Sequence, residues 1–104
     1  MWKLTSPQSA KNQDGVEVGV NGRWGIKYRQ GLHEIDFSTE AGRDEQNRFG
    51  VTVYWPNPLC WKHGAELSGP EADAVRRLLV EGLRALEAEW VDFEEAQYSY
   101  PRRG

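Results

Sequence analysis

In four stretches between residues 16 and 55 apolar or aromatic side chains recur at every second position, and from 75 to 90 they recur at every third or fourth. A chain that changes period once, from two to about 3.6, is restricted to strands first and a helix second, packed as two layers of an α+β domain. Val16, Val18 and Val20 share one face; Trp24, Ile26 and Tyr28, then His33, Ile35 and Phe37, continue it between glycines. Phe49, Val51, Val53 and Trp55 point inward on the next run, with Thr52 and Tyr54 outward, until Pro56 and Pro58, which cannot donate to a ladder, stop it. The pattern predicts four antiparallel strands, near 15–20, 23–29, 32–38 and 49–55, and Val91-Asp92-Phe93-Glu94 alternates again as a candidate short fifth.

Parity suggests a register. A two-residue turn at Gln30-Gly31 pairs Tyr28 with His33, Ile26 with Ile35 and Trp24 with Phe37, and sets Lys27 against Glu34 on the other face. A three-residue loop Val20-Asn21-Gly22, with Gly22 left-handed, pairs Val18 with Trp24 and Val16 with Ile26. Residues 38–48 read as a charged loop and 56–67 as a second long loop holding Cys60, Trp61 and His63.

The helix has a marked start. Ser68 and Glu71 form a capping box around Pro70, and Val75, Leu78, Leu79, Gly82, Leu83, Leu86 and Trp90 then share one face, which predicts a helix over 69–90. Gly82 inside that stripe implies close approach to the sheet. The expected core unites Trp24, Ile26, Ile35, Phe37, Val51, Val53, Val75, Leu79, Leu86 and Trp90. One domain spans 1–104: a loose N-terminal arm at 1–14, the α+β core at 15–95 and a C-terminal tail at 96–104.

Chemistry is scarce in this sequence. Cys60 and His63 share a loop, but no third group is in view to orient a nucleophile, so no catalysis is expected to depend on either. One Cys and two His argue against a structural zinc site, and neither metal nor cofactor is expected. Alternation places His33 inward beside Tyr28 as a core residue. Gly19-Val-Asn-Gly22-Arg-Trp-Gly25 lacks the Lys-Ser/Thr pair and the following helix of a phosphate loop. Arg23, Lys27 and Arg29 form a basic stripe that Glu34 and Asp36 largely cancel, which argues against nucleic acid as a partner. No apolar run reaches the 18 residues of a membrane span, the start has no signal-peptide core and the lone cysteine forms no internal disulfide, so the expected compartment is the cytoplasm.

Charge is the feature left to explain. Residues 15–95 carry 9 basic and 15 acidic side chains, a net of −6 against −3 for the whole chain. Glu87, Glu89, Asp92, Glu94 and Glu95 fall within nine residues with no basic residue among them, where a helix C-terminus favours cations. Such a segment is either a solvated end or an electrostatic docking surface for a basic protein.

Gly25-Ile-Lys-Tyr-Arg-Gln-Gly31, Val51-Thr-Val-Tyr-Trp-Pro56-Asn-Pro58, and Ser68-Gly-Pro-Glu71 opening a helix that ends near Trp90-Val-Asp-Phe-Glu94 together resemble the immunity proteins of bacterial polymorphic-toxin systems, and among them the immunity protein 74 family. The resemblance covers roughly residues 15–95. It implies a non-catalytic protein that binds and neutralises a cognate toxin, commonly the nuclease domain of a contact-dependent or secreted effector, by masking its active or substrate-binding surface. The expected contacts are Glu40, Asp44 and Glu45, or Asp92, Glu94 and Glu95, with Tyr54 and Trp61 as aromatic anchors. The alternative is a small accessory or regulatory protein-binding module.

Overall fold

The computed structural model describes residues 1–95. Seven strands and one helix follow in chain order: β1 (Trp2–Ser6), β2 (Ser9–Asn12), β3 (Val16–Val20), β4 (Gly25–Gln30), β5 (His33–Arg43), β6 (Phe49–Trp55), α1 (Gly69–Ala85) and β7 (Trp90–Glu95). The strands form a single sheet in sequence order, antiparallel from β1 to β6, and β7 returns parallel to β6 after the helix crosses one face. The expected four-stranded meander under a long helix is therefore corrected to a seven-stranded mixed sheet under a shorter one. No helix among the described residues is long and apolar enough to cross a membrane.

The expected loose arm at 1–14 is a hairpin. Its strands are polar because only Ala10 is fully buried, with Trp2, Ser9 and Asn12 partly so, leaving no apolar alternation to detect. Asn12 Oδ1 accepts from the backbone N–H of Asp14 (3.0 Å) and Val16 (2.9 Å), and this Asx turn, with Gly15 at φ 85°, leads into β3. Most of the expected loop at 38–48 is strand as well. β5 is eleven residues long; its first half pairs with β4 and its second half with β6, so only 44–48 turn. The tail at 96–104 lies outside the described residues.

Both predicted hairpin registers are displaced by even steps. Val18 pairs with Tyr28 rather than Trp24, and Tyr28 with Ile35 rather than His33, so the turns are Asn21 to Trp24 and Gly31-Leu32. An even displacement leaves every side chain on its predicted face, which is why Ile26, Tyr28, Ile35 and Phe37 are buried as expected. Residues at strand ends do move. Trp24 falls in the turn and is 59% exposed, out of the core, and His33 is the exposed first residue of β5 rather than a buried one. Gly25 is required because a Cβ there would stand 2.6 Å from the Asn21 carbonyl oxygen.

The helix packs Val75, Leu79, Gly82 and Leu83 onto Val16, Val18, Tyr28, Phe37, Val53 and Trp55. A Cβ at Gly82 would meet Val18 Cγ2 at 2.6 Å, so glycine sets the spacing between helix and sheet. The helix stops at Ala85, not 90, in a Schellman motif: Glu87 adopts φ 75°, its N–H donates to Arg84 O (2.9 Å), and Ala88 N–H donates to Leu83 O (3.0 Å). Leu86 is half-buried at the cap, while Trp90 starts β7 and lies over Gly50 on the opposite face of the sheet, leaving the expected core.

At the other end the capping box is complete, with Glu71 N–H donating to Ser68 Oγ (3.2 Å) and Ser68 N–H to Glu71 Oε1 (2.8 Å). Ser68→Ala is expected to lower stability by about 1 kcal/mol, read as a shift of the urea midpoint at constant slope. An unchanged midpoint would mean that the box does not hold the helix start.

Candidate functional site: the open face of the sheet

One face of the sheet carries the helix; the other is open. Period two sends Ser38 and Glu40 of β5, Thr52 and Tyr54 of β6, and Asp92 and Glu94 of β7 to the open side. Register then sets them in two rows, Ser38–Tyr54–Glu94 and Glu40–Thr52–Asp92. Neighbouring strands lie about 4.8 Å apart, so Glu40 and Asp92 flank Thr52 at about 10 Å across the sheet. The Tyr54 hydroxyl donates to Glu40 Oε1 at 2.9 Å. That hydrogen bond, a little burial, and the negative charges of Glu40 and Glu94 raise the phenol above its ordinary pKa.

The face is divided by charge. On the β3–β4 side both cations of β4 and the nearby Lys62 have acidic neighbours: Arg29 Nη1 is 3.6 Å from Glu17, Arg29 Nε 3.1 Å and Lys27 Nζ 3.7 Å from Glu34, and Lys62 Nζ 3.4 Å from Asp36. The outward Lys27–Glu34 pairing predicted from parity is present, on a diagonal, since the direct partners are Lys27 with Asp36 and Arg29 with Glu34. On the β5–β7 side Glu40, Asp92 and Glu94 take part in none of the ion pairs among the described residues. Trp90 closes this half by covering Gly50 and donating its indole N–H to Arg48 O at 2.8 Å.

Four of the predicted contact residues, Glu40, Tyr54, Asp92 and Glu94, therefore meet on one surface. The other four do not join them. Asp44 caps the turn between β5 and β6, accepting from the N–H groups of Gln46 and Arg48 (both 2.9 Å) and from Arg48 Nε (2.8 Å). The Arg48 backbone N–H is the main reason its carboxyl sits below the usual range, with the Arg48 guanidinium and the Gln46 N–H adding to it against slight burial. Glu45 is exposed at the tip of that turn, and Glu95 points to the helix side at the end of β7. Trp61 packs on the helix side as well, its ring 5.2 Å from His33 and 6.4 Å from Tyr28.

Two members of the acidic segment serve the fold. Glu87 occupies the left-handed position of the helix cap, and Glu89 Oε1 accepts the Phe49 N–H (3.0 Å) while its own N–H donates to Phe49 O (2.7 Å), which fastens β7 to β6. Sequence reasoning missed Ser38 and Thr52 as members of the surface, although the outward parity of Thr52 was visible. The described residues offer acceptors, negative charge and one phenol on a rigid face, which is chemistry for holding cations. Compared with known protein families, with curated proteins and with solved structures, the chain matches none. The likeness to immunity protein 74 thus rests on the sequence motifs alone.

Proposed function

We propose that this chain is a non-catalytic inhibitor, an immunity protein of the cytoplasm that neutralises a basic toxin domain by docking its open sheet face on it. The observation that carries the reading is the triad of Glu40, Asp92 and Glu94, which joins none of the ion pairs among the described residues, beside β4, whose two cations are both paired. A single-sign patch on a flat, rigid surface steers a basic partner into encounter. A toxin that acts on nucleic acid must hold phosphates and is basic where it does so, so the patch complements the surface whose masking would stop it. Tyr54, between Ser38 and Glu94, supplies the aromatic anchor, a residue type enriched among interface hot spots.

The test is coexpression with the C-terminal domain of the polypeptide encoded immediately upstream, scored by copurification and by protection of growth. Copurification without protection would favour an accessory module over an immunity protein. In the complex, Glu40→Lys/Asp92→Lys/Glu94→Lys is expected to slow association at least about tenfold at low salt and to flatten its salt dependence. Unchanged kinetics with a tightly binding wild type would mean that these carboxylates only guard the β7 edge against sheet-to-sheet pairing.

A further inference from the structure

Two histidines thirty residues apart in sequence meet at the end of the sheet. His33 begins β5 directly after the Gly31-Leu32 turn, and His63 stands at the tip of the loop between β6 and α1. Their ring nitrogens, His33 Nδ1 and His63 Nε2, are 3.0 Å apart. Both carriers are fastened. The Lys62 N–H donates to Glu34 O at 2.7 Å, so each neighbour of the pair is tied to the other strand. The loop tip is closed by Trp61 N–H to Ala65 O (2.8 Å), Gly64 N–H to Trp61 O (2.8 Å) and a bridge between Cys60 and Glu66. Trp61 backs the His33 ring at 5.2 Å.

We propose that His33 and His63 form a two-imidazole chelate for a divalent d-block cation, with Cu(II) or Ni(II) as the fitting ions. Metal–imidazole bonds of about 2.0–2.1 Å place their nitrogens about 2.9 Å apart at a right angle and about 3.3 Å apart at a tetrahedral one. That 3.0 Å is the length of the N–H···N hydrogen bond the pair makes without metal, so the two nitrogens already lie within a few tenths of an ångström of the separation a shared ion needs; imidazole suits copper and nickel, and Cu(II) stands highest in the affinity order of the divalent first-row ions. Without metal the pair shares one N–H. On chelation that proton moves to the far nitrogen of the donor ring, so two neutral imidazoles bind with no net proton released. Among the described residues no third His, Cys, Asp or Glu joins the pair. Glu34, the nearest acid in sequence, is engaged by Lys27, Arg29 and Lys62, so the site offers no oxygen donor to a hard ion such as Mg(II). Both histidines are exposed, which leaves the remaining coordination positions open to water or to a donor from another molecule.

The experiment is a titration of the full chain with CuCl2 in a non-coordinating buffer, followed through the imidazole proton resonances, with MgCl2 as the control. These are the only two histidines of the chain, so the readout is unambiguous. Both sets of resonances are expected to broaden together below one equivalent, with no response to Mg(II). Removing an outer-shell partner of a metal site already weakens binding about 10–100-fold, so loss of a ligand in His33→Ala or His63→Ala is expected to weaken it at least tenfold. Broadening of one histidine alone overturns the chelate, as does wild-type affinity in either variant. Copper taken instead by the N-terminal amine would leave both imidazoles sharp and would also overturn it. Because both side chains are exposed, the variants are expected to keep the wild-type circular dichroism, and either one failing to fold would show that the pair is a structural clasp instead.

Discussion

Trp55→Ala is expected to lower stability by about 3–5 kcal/mol, the range for emptying a large aromatic site in a packed core. Trp55 is only 7% exposed and stands at the junction of both layers. Its ring stacks on Phe37 (5.3 Å, 18°), meets Phe93 edge-on (5.4 Å, 85°), and lies under the Arg76 guanidinium, which stands 4.4 Å from the centroids of both Trp55 and Phe93. β5, β6, β7 and α1 therefore all lose contacts when it goes. The cavity cannot collapse easily, because Phe37 and Phe93 are fixed on β5 and β7, the strands that flank β6 on either side. Trp55→Phe keeps one aromatic face against Phe37 and should lose clearly less. Arg76→Ala removes only the cation above the rings and should lose about 0.5–1 kcal/mol. Urea denaturation of the three variants at constant slope orders them; a Trp55→Ala loss below about 1 kcal/mol would mean that the cluster is not the joint between the layers.

What could be read from the sequence divides along physical lines. Faces were legible and pairings were not. Moving Val18 from Trp24 to Tyr28, or Tyr28 from His33 to Ile35, changes no side chain's side, so burial alone cannot choose among even registers. The choice falls to the turns, where Gly31-Leu32 serves as well as Gln30-Gly31 and where Gly22 and Gly25 both constrain the loop. The N-terminal hairpin was illegible for a different reason: an edge hairpin whose one fully buried side chain is Ala10 has no period to show. The helix end was hidden because Glu87, rather than the usual glycine, takes the left-handed position, so the apolar spacing seemed to continue to Trp90.

The same hidden stop concealed the acidic surface. A helix running to residue 90 leaves Asp92 and Glu94 in a short terminal strand of unknown neighbour, remote from Glu40. Ending at Ala85, it frees enough chain for β7 to return parallel to β6, which brings Asp92 into one row with Glu40 and Glu94 into one row with Tyr54. The signs of the charges were legible; their convergence depends on a parallel pairing that local pattern does not encode. Asp44 shows the converse, since its carboxylate is consumed by the turn that begins with it.

Gly50→Val is expected to detach the acidic edge from the sheet. A Cβ at Gly50 would fall within the indole of Trp90, its partner across the β6–β7 ladder, so one of the two must leave. β6 is held on both sides, by β5 and by β7, whereas β7 is an edge strand, and Trp90 is the group that yields. Losing the burial of Trp90 (about 1.5–3 kcal/mol) and its hydrogen bond to Arg48 O (about 1 kcal/mol), less about 1 kcal/mol regained from the strand preference of valine, leaves a net loss of about 1.5–3 kcal/mol. The Glu89–Phe49 bonds at the start of β7 keep the strand near its place while its amides lose protection from hydrogen exchange. Trp90→Ala separates the clash from the mere loss of the ring. Adding Gly50→Val to Trp90→Ala is expected to bring no further loss, so the two changes are strongly non-additive. Additive losses would mean that glycine is needed at position 50 for a reason other than Trp90. Because Asp92 and Glu94 ride on the same strand, any partner held by the open face should dissociate faster from Gly50→Val, although every carboxylate of the patch is still present.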